Sequence, residues 1–262
     1  MQTVLITGAS SGIGKAFALD FASRGFQVVL VARSEAKLND VAQEIQQKYN
    51  TPTHSITADL GKPDAAQHLF DQTQTRNLTI DILVNNAAFG KWGDFHKYDI
   101  PTYRQMLQLN INALTELCYL YLPSMKTKAS GGIINVASSA ALMPVPYAAV
   151  YSASKSYVLY FSEALYGELQ STGVTVTCLC PSGTKTNFAS VADSTVQIDE
   201  KRYESPEHVA KVGIEGFLKN KNFVLTGKQK NMIAIAPRIL SRKAIIKQSA
   251  KAFKGVIDNK KA

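Results

Sequence analysis

Tyr151 and Lys155 stand four residues apart in the segment Tyr-Ser-Ala-Ser-Lys. On a helix, that spacing puts both side chains on one face. A phenol with a pKa near 10 is a poor acid–base group at neutral pH. A neighbouring ammonium is expected to stabilise the phenolate and lower that value. The pair could then act as general acid in carbonyl reduction or as general base in alcohol oxidation. The same spacing also occurs on ordinary solvated helix faces, so its meaning depends on partners. Ser138 lies just past the apolar run Ile133–Val136, where its hydroxyl could hold a substrate oxygen. Adjacent Ser139 is the alternative, and either could be a plain turn residue.

A nucleotide site is suggested at the other end of the chain. The run Thr3–Thr7 leads into Gly8-Ala9-Ser10-Ser11-Gly12-Ile13-Gly14 and then a helical pattern. One glycine permits a tight turn, one lets backbone approach a pyrophosphate, and one allows close helix–strand packing. The helix N-terminus offers free N–H groups and a positive dipole end to phosphates. A bare strand–turn–helix is the competing reading. The run Gln27–Ala32 ends at Arg33. A carboxylate there would favour the ribose hydroxyl of NAD, whereas an arginine favours a 2′-phosphate. NADP(H) is therefore expected over NAD(H), with Ser10, Ser11, Ser34 and Lys37 as further contacts. A solvated strand-end arginine is the alternative. Asp59-Leu60 follows the third strand, where an adenine would lie. Asn85-Asn86-Ala87-Ala88 follows the fourth, with small residues that allow close approach.

These groups must be positioned by the elements around them. Strands are expected at 3–7, 27–32, 54–57, 80–84, 132–136, 174–179 and 223–225, with helices near 14–24, 35–49, 63–76, 102–126, 151–171 and 206–219. Apolar strands alternating with helices point to a parallel sheet covered on both faces. Right-handed crossovers make this a single-domain, doubly wound, Rossmann-like α/β fold with ligands at the carboxyl ends of the strands. Residues 1–227 form that domain, including a substrate loop at 187–205, and 228–262 form a basic helical tail.

Composition narrows the class. The 262 residues are 45% hydrophobic, and no run approaches the length of a membrane span. The first apolar run, Val4-Leu5-Ile6, is too short for a signal peptide, so a cytoplasmic location is expected. Cys118, Cys178 and Cys180 form no disulfide framework and offer too few ligands for a metal, so they are expected as core thiols. The net charge is +9; residues 228–262 hold ten Lys/Arg and one acid, and the rest of the chain is balanced. Pro237 is expected to split the tail, with a basic amphipathic helix after it. That helix either packs on the body or a sister subunit, or makes peripheral contact with an anionic membrane. Nucleic acid is disfavoured, since no recognition motif accompanies it.

The stretches TGASSGIG (7–14), ADL (58–60), NNAA (85–88), Asn110 within LQLNINAL, Ser138, YSASK (151–155) and PSGTKT (181–186) stand in a set order. Together they resemble the short-chain dehydrogenases/reductases, to about residue 225, most of all a bacterial branch of general members. The resemblance implies a catalytic tetrad of Asn110, Ser138, Tyr151 and Lys155. It gives the tyrosine the proton transfer and the serine the reacting oxygen. The lysine would hold the nicotinamide ribose, and the asparagine a relay water. Implied cofactor contacts are Gly8, Ser10, Ser11, Gly12, Ile13, Gly14, Arg33, Asp59, Leu60, Asn86, Ala87, Ala88, Pro181, Thr184 and Thr186, with Tyr151 and Lys155. Homodimers or homotetramers through the helices near 102–126 and 151–171 are implied as well. Two departures stand out. Ala88 and Ser182 replace the family's glycines, and a serine at 182 is expected to redirect its loop. Phe89, Trp92, Met143, Val145, Tyr147 and Phe188 are expected to face a small apolar carbonyl or alcohol substrate, under a lid at 189–205. The expected activity is NADP(H)-dependent hydride transfer. A nucleotide-sensing regulator on the same scaffold and an NAD-dependent dehydrogenase are the alternatives.

Overall fold

The computed structural model describes residues 1–192 and 203–258. Seven strands, β1 (Thr3–Thr7), β2 (Gln27–Ala32), β3 (Thr53–Thr57), β4 (Ile82–Asn85), β5 (Gly132–Val136), β6 (Thr175–Cys180) and β7 (Phe223–Leu225), form one sheet. Every pairing is parallel, in the order β3-β2-β1-β4-β5-β6-β7. The order reverses between β1 and β4, which opens a crevice at their carboxyl ends. Alternate strand residues face opposite layers, as a pleated backbone requires. Leu5, Val29, Leu83 and Ile133 pack with Leu69, Leu117 and Val158 on one side. Val4, Ile6, Leu30 and Val84 pack with Phe17, Phe21, Leu38 and Ile214 on the other.

The covering helices are α1 (Gly12–Ser23), α2 (Glu35–Tyr49), α3 (Ala65–Thr75), α4 (Ile100–Leu107), α5 (Ala113–Lys128), α6 (Ala149–Glu168), α7 (Phe188–Val191) and α8 (Pro206–Leu218). The helix expected near 102–126 is interrupted by a π-helical turn at Gln108–Asn112. Such a turn holds an extra residue and often marks a functional position. Of the expected lid and substrate loop, 193–202 lie outside the described residues.

The tail departs from expectation at Pro237. The proline sits inside α9 (Lys230–Ile239), which forgoes one i→i−4 bond there and still runs two residues further. The break falls at Leu240–Ser241, where Ser241 Oγ accepts from Ala244 N at 3.3 Å and starts α10 (Arg242–Asp258). The α10 helix packs on the body, as the first of the two tail readings requires. Ile245 is buried, and Ser249 Oγ donates to Pro144 O at 2.8 Å. Ser182 avoids positive φ, the conformation a glycine would have allowed here. Its Oγ donates to Thr226 O at 2.7 Å. Gly227 makes room for it, since a Cβ there would lie 2.5 Å from Ser182 Oγ.

Candidate active site

The glycine turn is built for an anion. Gly8 has φ +68°, and a Cβ on it would lie 2.8 Å from Asn86 Nδ2. Gly14 must be glycine for another reason: a Cβ would run into the Gly8 carbonyl and Asn86. Ser11 is the N-cap of α1, yet its hydroxyl makes no capping bond, and the first turn holds no acid. The opening N–H groups of α1 therefore face the crevice without an internal anion, which fits a nucleotide pyrophosphate. Thr7 Oγ1 holds the turn to the end of β4, accepting from Asn86 N and Ala87 N, both at 3.0 Å. Asn86 Nδ2 donates to Thr7 O at 2.9 Å, so this side chain shapes the turn.

The other expected contacts gather around this turn. Ala9 N donates to Val31 O at 3.1 Å, which brings the glycine turn beside the end of β2, where exposed Arg33 follows. Ser34 Oγ is engaged as the α2 cap, accepting from Lys37 N at 3.5 Å. Asp59 Oδ1 accepts from Gly61 N at 3.1 Å. Leu60 is buried in the core, which leaves only its backbone to face a nucleotide. Pro181 O accepts from Ser139 N at 2.8 Å, joining the 181–186 loop to the serine pair. The side chain of Thr186 closes on Gly12, where a Cβ would come within 3.0 Å of it.

The four tetrad candidates converge at the carboxyl edge of the sheet. Ser138 caps the short 3-10 helix Ser139–Leu142, accepting from Ala140 N at 3.1 Å. Its side chain is near enough to Tyr151 to influence the phenol's ionisation. Asn110, aimed inward by the π turn, is buried; its Nδ2 donates to Phe89 O at 3.0 Å and to Ser154 Oγ at 3.1 Å. Ser154 Oγ donates in turn to Tyr151 O at 2.7 Å. Ser154 thus joins Asn110 to α6. The sequence reading passed over it, although a serine three residues past Tyr151 shares its face. Gly90 is a second overlooked residue. A Cβ there would lie 3.0 Å from the Tyr151 ring, so that backbone passes close against the ring.

The electrostatics differ from expectation. Burial pushes the Tyr151 phenol up to about 12, partly opposed by the neighbouring Ser138 hydroxyl. Lys155 is not among the groups that shift it. The lysine Nζ donates instead to Val136 O at 2.8 Å, and burial lowers its pKa to about 8. Desolvation thus outweighs charge pairing for both groups. A protonated phenol is the form that can donate to a carbonyl oxygen.

An aromatic row leads outward from the phenol. Ring centroids are 5.5 Å apart for Tyr151–Phe188, 6.4 Å for Phe188–Trp92 and 5.7 Å for Trp92–Phe253. The last step crosses from the body to α10. Tyr147, at φ +66°, ties two expected substrate-facing segments together, its carbonyl accepting from Gly93 N at 2.7 Å. Val145 is buried in the core.

Comparison with known proteins agrees with this geometry. The family model described as short chain dehydrogenase matches residues 2–197. A human very-long-chain 3-oxoacyl-CoA reductase is 33% identical over 220 residues, 82% of this chain and 68% of that protein. A solved short-chain dehydrogenase from Sphingobium yanoikuyae, in complex with NADPH, is 29% identical with a TM-score of 0.80 and covers 86% of this chain and 87% of its own. A structure reported for 7beta-hydroxysteroid dehydrogenase stereoselectivity is 26% identical with a TM-score of 0.86, and covers 95% of this chain and 96% of its own. The parallel sheet, the glycine turn and these relatives converge: the chain belongs to the short-chain dehydrogenase family, and is an oxidoreductase on a nucleotide-binding fold.

Proposed function

We propose that this protein reduces the carbonyl group of an apolar substrate with NADPH, and oxidises the corresponding alcohol in reverse. The observation that carries this reading is the buried, protonated Tyr151 phenol beside Ser138, with Lys155 one helical turn further along α6. The uncapped start of α1 and the cradle around Gly8 and Gly14 fit a dinucleotide, which supplies the hydride when bound. Ser138 Oγ orients the substrate oxygen, and Tyr151 Oη gives it a proton. Lys155 brings a cation to the site while its amine remains protonated, and Asn110, through Ser154, fixes the helix that carries both. Exposed Arg33 at the end of β2 favours the 2′-phosphate, and the NADPH-bound relative supports that choice.

The apolar part of the substrate lies along Phe188, Trp92 and Phe253. Pairing of two copies through α5 and α6 fits the exposed Tyr119, Tyr157 and Tyr160. Among the described residues no helix is long and apolar enough to cross a membrane, and a cytoplasmic site of action suits three unpaired, buried thiols. The test is NADPH oxidation with ketones, aldehydes and a 3-oxoacyl thioester, comparing wild type with Tyr151→Phe. Loss of a proton donor predicts a rate at least ~100-fold lower with NADPH affinity retained. Equal turnover would remove the tyrosine from the reaction. Tight NADPH binding with no substrate turned over would favour the sensing role.

A further inference from the structure

The two tail helices present an apolar stripe to solvent. Met232, Ile235 and Ile239 fall at i, i+3 and i+7, on one face of α9, and are 59%, 49% and 75% exposed. Leu240 and Ile246 continue the stripe across the turn into α10, at 39% and 43%. Isolated exposed apolar residues need no explanation, but a helically spaced row of them does. The row is not spare core surface. The less exposed side of α9, with Ile233, Ala234 and Ala236, already packs against the body at Ser139–Leu142. The buried side of α10 is Ile245 and Ser249.

Charge identifies the occupant. No Asp or Glu occurs from residue 228 to residue 257, whereas exposed Arg238, Arg242, Lys243 and Lys247 flank the stripe. An apolar row edged only by cations matches the boundary between the acyl chains and headgroups of an anionic bilayer. A second copy of this chain would bring the same positive field against itself and meet repulsion.

We infer that the outer face of α9 and the start of α10 dock on an anionic lipid surface. The apolar residues enter the headgroup boundary and the basic residues pair with lipid phosphates. Because the same two helices pack on Ser139–Leu142, Pro144 and Trp92, docking holds the rim of the substrate cleft against the lipid. The inference rests on the tail and stands whether or not the proposed activity is correct.

The experiment is flotation of the full chain with vesicles of phosphatidylcholine, alone or mixed with phosphatidylglycerol. Two triple variants accompany wild type: Met232→Ser/Ile235→Ser/Ile239→Ser and Arg242→Glu/Lys243→Glu/Lys247→Glu. All these side chains are exposed, and circular dichroism with NADPH binding reports folding. Wild type should float with the mixed vesicles only, and 0.5 M salt should release it. Each basic residue near an anionic surface is worth about fivefold in partitioning, so reversing three of them should weaken binding by at least ~100-fold. The serine variant should lose at least ~10-fold. Failure of wild type to float, or flotation that both variants retain, overturns the inference. So does a wild-type dimer that the serine variant turns into a monomer without any vesicle binding, because the stripe then covers a second copy.

Discussion

Lys155 is required by the proposed chemistry, yet it costs the fold. Burial lowers its pKa from 10.5 to about 8. At about 1.4 kcal/mol per unit, holding this ammonium inside the folded protein costs ~3 kcal/mol at neutral pH. The sign follows from proton counts. Between about pH 8 and pH 10.5 the unfolded chain holds more protons at this position than the folded one. The contribution of Lys155 to stability therefore rises with pH through that window, and its full cost is present below pH 8. Replacing it by methionine removes the titration and keeps most of the volume. The replacement also strands the Val136 carbonyl, a penalty of about 1–3 kcal/mol that does not depend on pH. The measurable quantity is thus the pH dependence of the difference between the two proteins. Urea unfolding at pH 7 and pH 10 should show wild type gaining about 2–3 kcal/mol on Lys155→Met between those values. Tyr151, Tyr121 and Cys118, each raised to about 12, lose stability as pH rises, but they are present in both proteins and cancel. A difference constant to within about 0.5 kcal/mol would refute the reasoning, since the lysine would then titrate alike in both states. NADPH oxidation should be lost in the variant at either pH.

Two further outcomes are expected. Ser154→Ala removes one of the two bonds donated by Asn110 Nδ2, so urea unfolding should show a loss of about 1 kcal/mol. With it, kcat should fall ~10-fold while NADPH affinity is unchanged; the same destabilisation with full kcat would leave Ser154 a packing residue only. Arg33→Ala should weaken NADPH binding by ~10- to 100-fold in a fluorescence titration and leave NADH binding nearly unaltered, and equal effects on both would contradict the phosphate assignment.

The architecture was readable because strands buried on both faces appear as continuous apolar runs, and Gln27–Ala32 and Gly132–Val136 fall where the runs do. The glycine turn and the Tyr151–Lys155 pair were readable because their local geometry demands particular residue types at fixed spacing. The π turn was not. Residues 108–112 keep an unbroken helical pattern, and only the tertiary contacts of Asn110 with Phe89 and Ser154 account for the extra residue. The direction of the Tyr151 and Lys155 shifts was also hidden. Spacing along a helix says that two groups are close, but the depth at which they lie decides whether desolvation or attraction prevails. The proline in the tail misled for a related reason. Its propensity to end a helix was weighed without the Ser241 cap that sets where the next one begins.

The Trp92–Phe253 contact has a consequence for how the molecule is made. During translation the nucleotide turn leaves the ribosome more than two hundred residues ahead of Phe253. Domains tend to organise from the amino terminus as they emerge. An unfinished chain can thus form the dinucleotide crevice while the aromatic wall still lacks its outermost ring. On the proposed function, the cleft is complete only once α10 has been synthesised and packed on the body, so a chain cut short in translation would lack its outermost aromatic ring.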